Sequence, residues 1–204
     1  MNILVTGASG LVGSALVPSL KAKGHEITRL VRSTPKDGAT EVYWDPEKGT
    51  IDAAGLEGAN AVVHLAGENL AEGRWTEEKK RRILESRVKG TKLVSETLAA
   101  LARKPEVLVA ASAIGFYGDR GDEVLDERSS SGDDFLAKVC REWELATQAA
   151  ATSGVRVVNL RFGVILSNDG GALKKMLLPY KLGVGGKIGS GQQYMSWITI
   201  DDAV

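Results

Sequence analysis

The sequence holds one cysteine, Cys140, and two histidines, His25 and His64. A lone thiol closes no internal disulfide, and so small a stock of soft donors argues against a metal-centred chemistry. No apolar run approaches the ~18 residues that suggest a membrane span. The first such run starts at Ile3 with no basic leader or cleavage-site pattern before it. Neither sign of charge is in excess: Lys+Arg and Asp+Glu both number 26. No broad basic face for nucleic acid or an anionic membrane is therefore implied. The expectation is a soluble cytoplasmic protein that meets a small-molecule substrate, without metal, nucleic-acid or membrane partners.

What is present is ordinary globular composition, 43% hydrophobic and 25% charged over 204 residues. One domain is the default at this size, burying roughly 70% of the unfolded surface. Strands are expected at Asn2–Thr6, Glu26–Val31, Glu41–Trp44, Ala61–Ala66, Val107–Ser112 and Val155–Arg161. Several are continuously apolar, as strands covered on both faces should be. Helices are expected at Leu11–Lys23, Thr76–Arg103 and Asp133–Ser153, with Pro18 predicting a local adjustment in the first. Strand and helix in alternation predict a Rossmann-type α/β domain with a doubly wound parallel sheet. The run Lys79-Lys80-Arg81-Arg82 has two readings, a nucleic-acid contact or a solvated helix face balanced by Glu77 and Glu78; the second is favoured.

The junction Thr6-Gly7-Ala8-Ser9-Gly10-Leu11-Val12-Gly13 follows an apolar strand and opens a helix, the context that makes a glycine triplet informative. Gly7 would allow the tight turn, Gly10 the approach of backbone to a pyrophosphate, and Gly13 the packing of helix on sheet. An NAD site wants an acid ~20 residues further on, to accept from the ribose hydroxyl. Here the second strand ends in Leu30-Val31-Arg32-Ser33. Arg32, with Ser33 beside it, would instead pair with a 2′-phosphate, which favours NADP.

VTGASGLVG, then NAVVHLAG at Asn60–Gly67, then ASAIGFYG at Ala111–Gly118, resemble the extended short-chain dehydrogenase/reductase superfamily. HLAGENL with RWTEEK, ESRVKGT (Glu85–Thr91), GDDFLAKVCREWE (Gly132–Glu144) and LPYKLGVGGKIGSGQQYMSWITIDD (Leu178–Asp202) narrow this. They resemble its atypical nucleoside-diphosphate-sugar epimerase-like members, some of which bear a cell-division-inhibitor name. The resemblance implies that Gly7, Ser9, Gly10, Leu11 and Val12 hold the pyrophosphate and that Leu65, Ala66 and Gly67 line the nucleotide. It also implies that Arg87 faces the cofactor, and that Trp75, Tyr117 and Trp197 face the substrate. Residues 1–165 would then be the NADP-binding domain and 166–204 part of a smaller substrate-binding region. Members of the family continue for most of another hundred residues, so a truncated form is expected.

Departures from the superfamily bear on catalysis. Its Tyr-x-x-x-Lys uses a phenol tuned by lysine and cofactor, whereas four residues before Lys138 stands Asp134. Lys138 either keeps the catalytic place or joins an i, i+4 ladder with Asp134 and Glu142, the ladder being favoured. Ser112 lies one residue earlier, relative to Tyr117-Gly118, than the family serine; it polarises a substrate oxygen or caps a strand. Tyr117 is a candidate replacement proton donor, with ligand contact or packing as the alternative. Cys140 and His64 read as core residues, and His25 as a helix C-terminal cap. The glycine-rich segment Gly183–Gly191 is not a Walker A loop and reads as a mobile substrate-side loop or a structural turn. Two functions follow: an NADP-dependent oxidoreductase or epimerase acting on a small substrate, with nucleotide sugars among the candidates, or an NADP(H) sensor without turnover.

Overall fold

The computed structural model describes residues 1–36, 40–70, 73–187 and 189–204, so Ile188 lies outside the described residues. In chain order the elements are β1 (Asn2–Thr6), α1 (Leu11–Ala22), β2 (Glu26–Val31), β3 (Glu41–Asp45), β4 (Thr50–Ile51), β5 (Ala61–His64), α2 (Glu77–Ala100) and β6 (Val107–Ala113). There follow α3 (Phe135–Leu145), α4 (Gln148–Thr152), β7 (Arg156–Phe162), β8 (Val164–Leu166), α5 (Gly171–Lys181), β9 (Trp197–Thr199) and α6 (Ile200–Ala203).

The main sheet has the order β4-β3-β2-β1-β5-β6-β7, parallel except for β4 at its edge. Strand order reverses between β1 and β5, the switch point at which α/β sheets leave a crevice beyond their strand ends. The fold is thus the expected doubly wound, Rossmann-type sheet. Alternation along β1 explains its uninterrupted apolar run. Leu4 joins one buried cluster with Leu30, Val62, Val94, Leu98 and Leu108, while Ile3 and Val5 join Ile27, Val17 and Leu20 in another. Helices cover both faces, so Ile3, Leu4 and Val5 all need to be apolar.

Several boundaries differ from the sequence expectation for identifiable reasons. β5 stops at His64 rather than Ala66, because Leu65 N and Ala66 N donate to Thr6 Oγ1 instead of continuing the ladder. α2 stops at Ala100 rather than Arg103, where the amides of Ala102 and Arg103 donate to the Glu57 carboxylate. The single helix expected over Asp133–Ser153 is two, α3 and α4. At the break Thr147 Oγ1 donates back to Glu144 O at 2.6 Å, the local side-chain bond by which threonine competes with helix. β4 and β8 are not legible in the sequence, being strands of two and three residues, whereas the short strand expected before Asp201-Asp202 is β9, with α6 starting after it. α1 runs through Pro18, which is exposed, as is Ser14, whose carbonyl loses its donor there. His25 does cap α1, through its backbone: His25 N donates to Leu20 O and Gly24 N to Lys21 O, with Gly24 at φ +81°. That is the Schellman arrangement.

The basic run on α2 is largely spent on acids. Lys80 pairs with Glu77, and Arg81 with Glu78 and Glu85. Lys79 departs from the solvated reading: it is buried and pairs with Glu68 at 2.7 Å. No helix among the described residues is long and apolar enough to cross a membrane.

A second, two-stranded parallel sheet joins β8 to β9 and packs with α5 and α6. The start of α5 touches the glycine-rich turn through Leu11, whose methyl carbons lie 3.1 and 2.9 Å from where Cβ atoms on Gly170 and Gly171 would stand.

Candidate functional site

Three glycines shape the turn between β1 and α1, two of them for distinct steric reasons. Gly7 has φ +66°, and a Cβ there would stand 2.8 Å from Leu65 C and 2.9 Å from Ala66 N. The turn and the end of β5 therefore touch backbone to backbone. At Gly13 a Cβ would come within 2.3 Å of Gly7 O, so this glycine lets α1 pack on the turn itself. Gly10 is the N-cap of α1 and offers no side-chain cap. The first turn of α1 carries no acid. Among the described residues, the N–H groups of Leu11, Val12 and Gly13 have no acceptor. Free amides at the positive end of a helix dipole are suited to an anion, so this cradle fits a dinucleotide pyrophosphate. Ser9 is exposed beside it, and Val12 is half-buried.

Two arginines flank the cradle. Arg32 follows β2 and is exposed, as is Ser33, and neither pairs with an acid among the described residues. Arg87, on α2, is buried at 8% exposure, and burial pushes its guanidinium pKa below the usual value. It lies over Gly67, where a Cβ would be 3.3 Å from Arg87 Cζ, and over the Trp143 ring at 5.0 Å from the centroid. Its Nη1 donates to Ile83 O at 3.2 Å. Leu65 and Ala66 abut Gly7 backbone to backbone, and with Gly67 they form the wall opposite the turn.

Beneath this wall is a polar line through the core. Thr6 Oγ1 accepts from Leu65 N at 3.1 Å and Ala66 N at 3.2 Å, so its own proton goes to His64 Nδ1 at 2.8 Å. His64 is then the Nε2–H tautomer, donating to Thr91 Oγ1 at 3.0 Å, and Trp143 Nε1 donates to the same oxygen at 2.8 Å. Full burial lowers the His64 pKa to about 4, so the ring is neutral. The reading of His64 as a satisfied core histidine agrees with this geometry.

The catalytic candidates separate. Ser112 is buried, sharing the face of β6 that carries Leu108 and Ala110, and its Oγ donates to Glu144 Oε1 at 2.6 Å. Glu144 also receives both Nε and Nη2 of Arg161, at 2.8 and 2.9 Å. Arg161 Nη1 donates to Tyr117 Oη at 3.0 Å, and its guanidinium stacks 3.4 Å from the Phe116 centroid. Glu144 raises the Arg161 pKa, keeping the guanidinium charged. Ser112 and Tyr117 thus belong to one network. Lys138 lies outside it, exposed on α3, and the expected ladder is absent among the described residues: no ion pair joins Lys138 to Asp134 or Glu142. Asp134 is instead the N-cap of α3, accepting from Ala137 N at 2.8 Å, because its short carboxylate reaches a free amide sooner than a lysine one turn on.

Glu144 and Arg161 were missed by sequence reasoning. The available signal was Arg161 itself, a cation within the strand VRVVNLRF. Cys140 is buried and burial pushes its thiol pKa up, the profile of a packing residue. Trp75 and Trp197 are largely exposed, and Trp75 Nε1 donates to Leu70 O. A cavity of about 360 Å³ lies between Arg161, Phe162 and Trp197, next to the Tyr117 network.

The model of the NAD dependent epimerase/dehydratase family matches residues 3–204. An epimerase family protein of Mycobacterium bovis is 43% identical over 202 residues, which cover 99% of this chain and 66% of that relative. This chain therefore spans less than two thirds of that protein's length. Human epimerase family protein SDR39U1 (isoform 2), whose crystal structure is with NADPH, superposes with a TM-score of 0.87 at 38% identity over 99% of this chain and 67% of that one. A nucleoside-diphosphate sugar epimerase from Corynebacterium glutamicum gives a TM-score of 0.84 at 46% identity, over 99% of this chain and 41% of that one. With this match along nearly its whole length, and with the glycine turn and doubly wound sheet in place, the chain belongs to the NAD dependent epimerase/dehydratase family.

Proposed function

We propose that the chain binds NADP(H) across the ends of β1 and β5 and forms the nucleotide-binding part of an oxidoreductase or epimerase. The reaction is hydride transfer at a hydroxyl or carbonyl carbon of a small or sugar-like substrate. The observation that carries the cofactor reading is the acid-free cradle: among the described residues, three free amides at the start of α1 with Arg32 and Arg87 beside it, neither of them in an ion pair. The NADPH of the human relative supports the choice of dinucleotide, and the name of the Corynebacterium relative supports a nucleotide sugar as substrate. The amides of Leu11, Val12 and Gly13, with Ser9, hold the pyrophosphate, and Arg32 with Ser33 holds the 2′-phosphate. Residues 1–165 bind the nucleotide and 166–204 wall the substrate cleft.

The bound dinucleotide supplies hydride chemistry; the chain supplies the proton. Tyr117 Oη accepts from Arg161, so its own O–H is free to donate to a substrate oxygen, and the adjacent guanidinium offsets the negative charge left behind. Ser112 has its proton committed to Glu144 and acts through that network. A second reading, an NADP(H) sensor without turnover, is favoured by one observation: Asp134 stands where the superfamily tyrosine is expected and is used as a helix cap. NADPH oxidation with a panel of carbonyl compounds and sugar nucleotides separates the two. The enzyme reading expects turnover that Tyr117→Phe slows by roughly a hundredfold or more with NADPH affinity unchanged. Tight NADPH binding without turnover on any of them leaves the sensor.

A further inference from the structure

Arg87 is a buried cation held by a ring instead of an acid. A guanidinium has five N–H donors, and among the described residues only one hydrogen bond from it is made, to Ile83 O. The nearby acid Glu68 is taken by Lys79 at 2.7 Å. Arg87 rests on the face of Trp143 instead. A carboxylate in that place would cancel the positive charge and repel a phosphate. An aromatic face holds the cation through its quadrupole and leaves the charge available to an anion.

The ring is itself fixed. Trp143 is 7% exposed, and its Nε1–H is tied through Thr91, His64 and Thr6 to the amides of Leu65 and Ala66. The circuit returns to its start, because Arg87 lies over Gly67 in that same turn. A helix-borne cation and a strand-end wall are thereby kept in register by hydrogen bonds that involve no charged group.

We propose that Trp143 is a positioning residue for cofactor binding, its indole holding the Arg87 guanidinium against the Leu65–Gly67 turn for a phosphate-bearing dinucleotide. The inference rests on the NADP(H) reading above. Calorimetric titration of the full chain with NADPH tests it through a double-mutant cycle, with circular dichroism confirming that each variant is folded. Trp143→Leu and Arg87→Met should each weaken binding about tenfold, and the double variant should be no weaker than Arg87→Met alone, within about twofold. Trp143→Phe keeps a ring face and should restore affinity to within about threefold of the unmutated chain. If Trp143→Leu does not fold, Trp143→Met removes the ring with a more adaptable side chain. Losses that multiply in the double variant, or a folded phenylalanine variant as weak as the leucine one, would overturn this inference alone. Failure of the unmutated chain to bind NADPH overturns the cofactor reading and this inference with it.

Discussion

His64 has no spare hydrogen-bonding capacity for a second proton. Its Nδ1 already faces the hydroxyl proton of Thr6, whose oxygen accepts two amides, and its ring stands edge-on to Trp44 with centroids 6.0 Å apart. Burial therefore sets its pKa near about 4, below the value of about 6.5 in an unfolded chain. The sign follows from linkage. The unfolded chain binds the proton more tightly, so the stabilisation is complete above the unfolded pKa. It is lost as pH falls from about 6.5 to about 4, at a total cost of roughly 3 kcal/mol. With only two histidines, proton NMR resolves the titration, His25→Gln assigning the signals. An imidazole at position 64 that titrates near 6.5 in the folded protein would contradict the buried line from Thr6 to Trp143. Residues whose role is local were legible in advance: Gly7 by its place after an apolar strand, His64 by its apolar neighbours. Thr6, Glu144 and Arg161 were not, since their meaning lies in partners 58 or 17 residues away.

Helix α3 shows how one substitution changes an element's job. Where the superfamily places a catalytic tyrosine, Asp134 turns its carboxylate onto the Ala137 amide and starts the helix. Asp134→Ala should cost about 1 kcal/mol, a fall of roughly 2–4 °C in melting temperature for a domain of this size. Lys138→Ala, removing an exposed side chain, should leave the melting temperature unchanged. Thermal unfolding of both variants measures the contrast, and an equal loss from each would restore the ladder. Helix existence was legible from the periodicity of apolar residues, but helix ends were not. α2 ends where Glu57, more than forty residues earlier, caps two amides, and α3 breaks where a threonine hydroxyl bonds back to the chain.

Across the whole molecule, the alternation of strand and helix is enough to predict a doubly wound parallel sheet, because right-handed crossovers leave few other topologies. Of the small β8–β9 sheet, only β9 is legible, as a short strand before Asp201-Asp202; β8 and its pairing are not. The two strands have three residues each, too few for any periodicity, and they are defined by each other's edges. The start of α5, beside that sheet, meets the glycine turn at Leu11, so the two parts of the chain share one wall. The central claim is that this wall and the flanking arginines form an NADP(H) site. Calorimetric titration with NADPH and NADH, on the unmutated chain and on Arg32→Ala, tests it most directly. A charge-assisted contact to the 2′-phosphate is worth ~1.5–3 kcal/mol, so NADPH should bind roughly ten- to hundredfold more tightly than NADH, and Arg32→Ala should abolish the difference. Equal affinities in the unmutated chain, or a preference that survives the loss of Arg32, would contradict it.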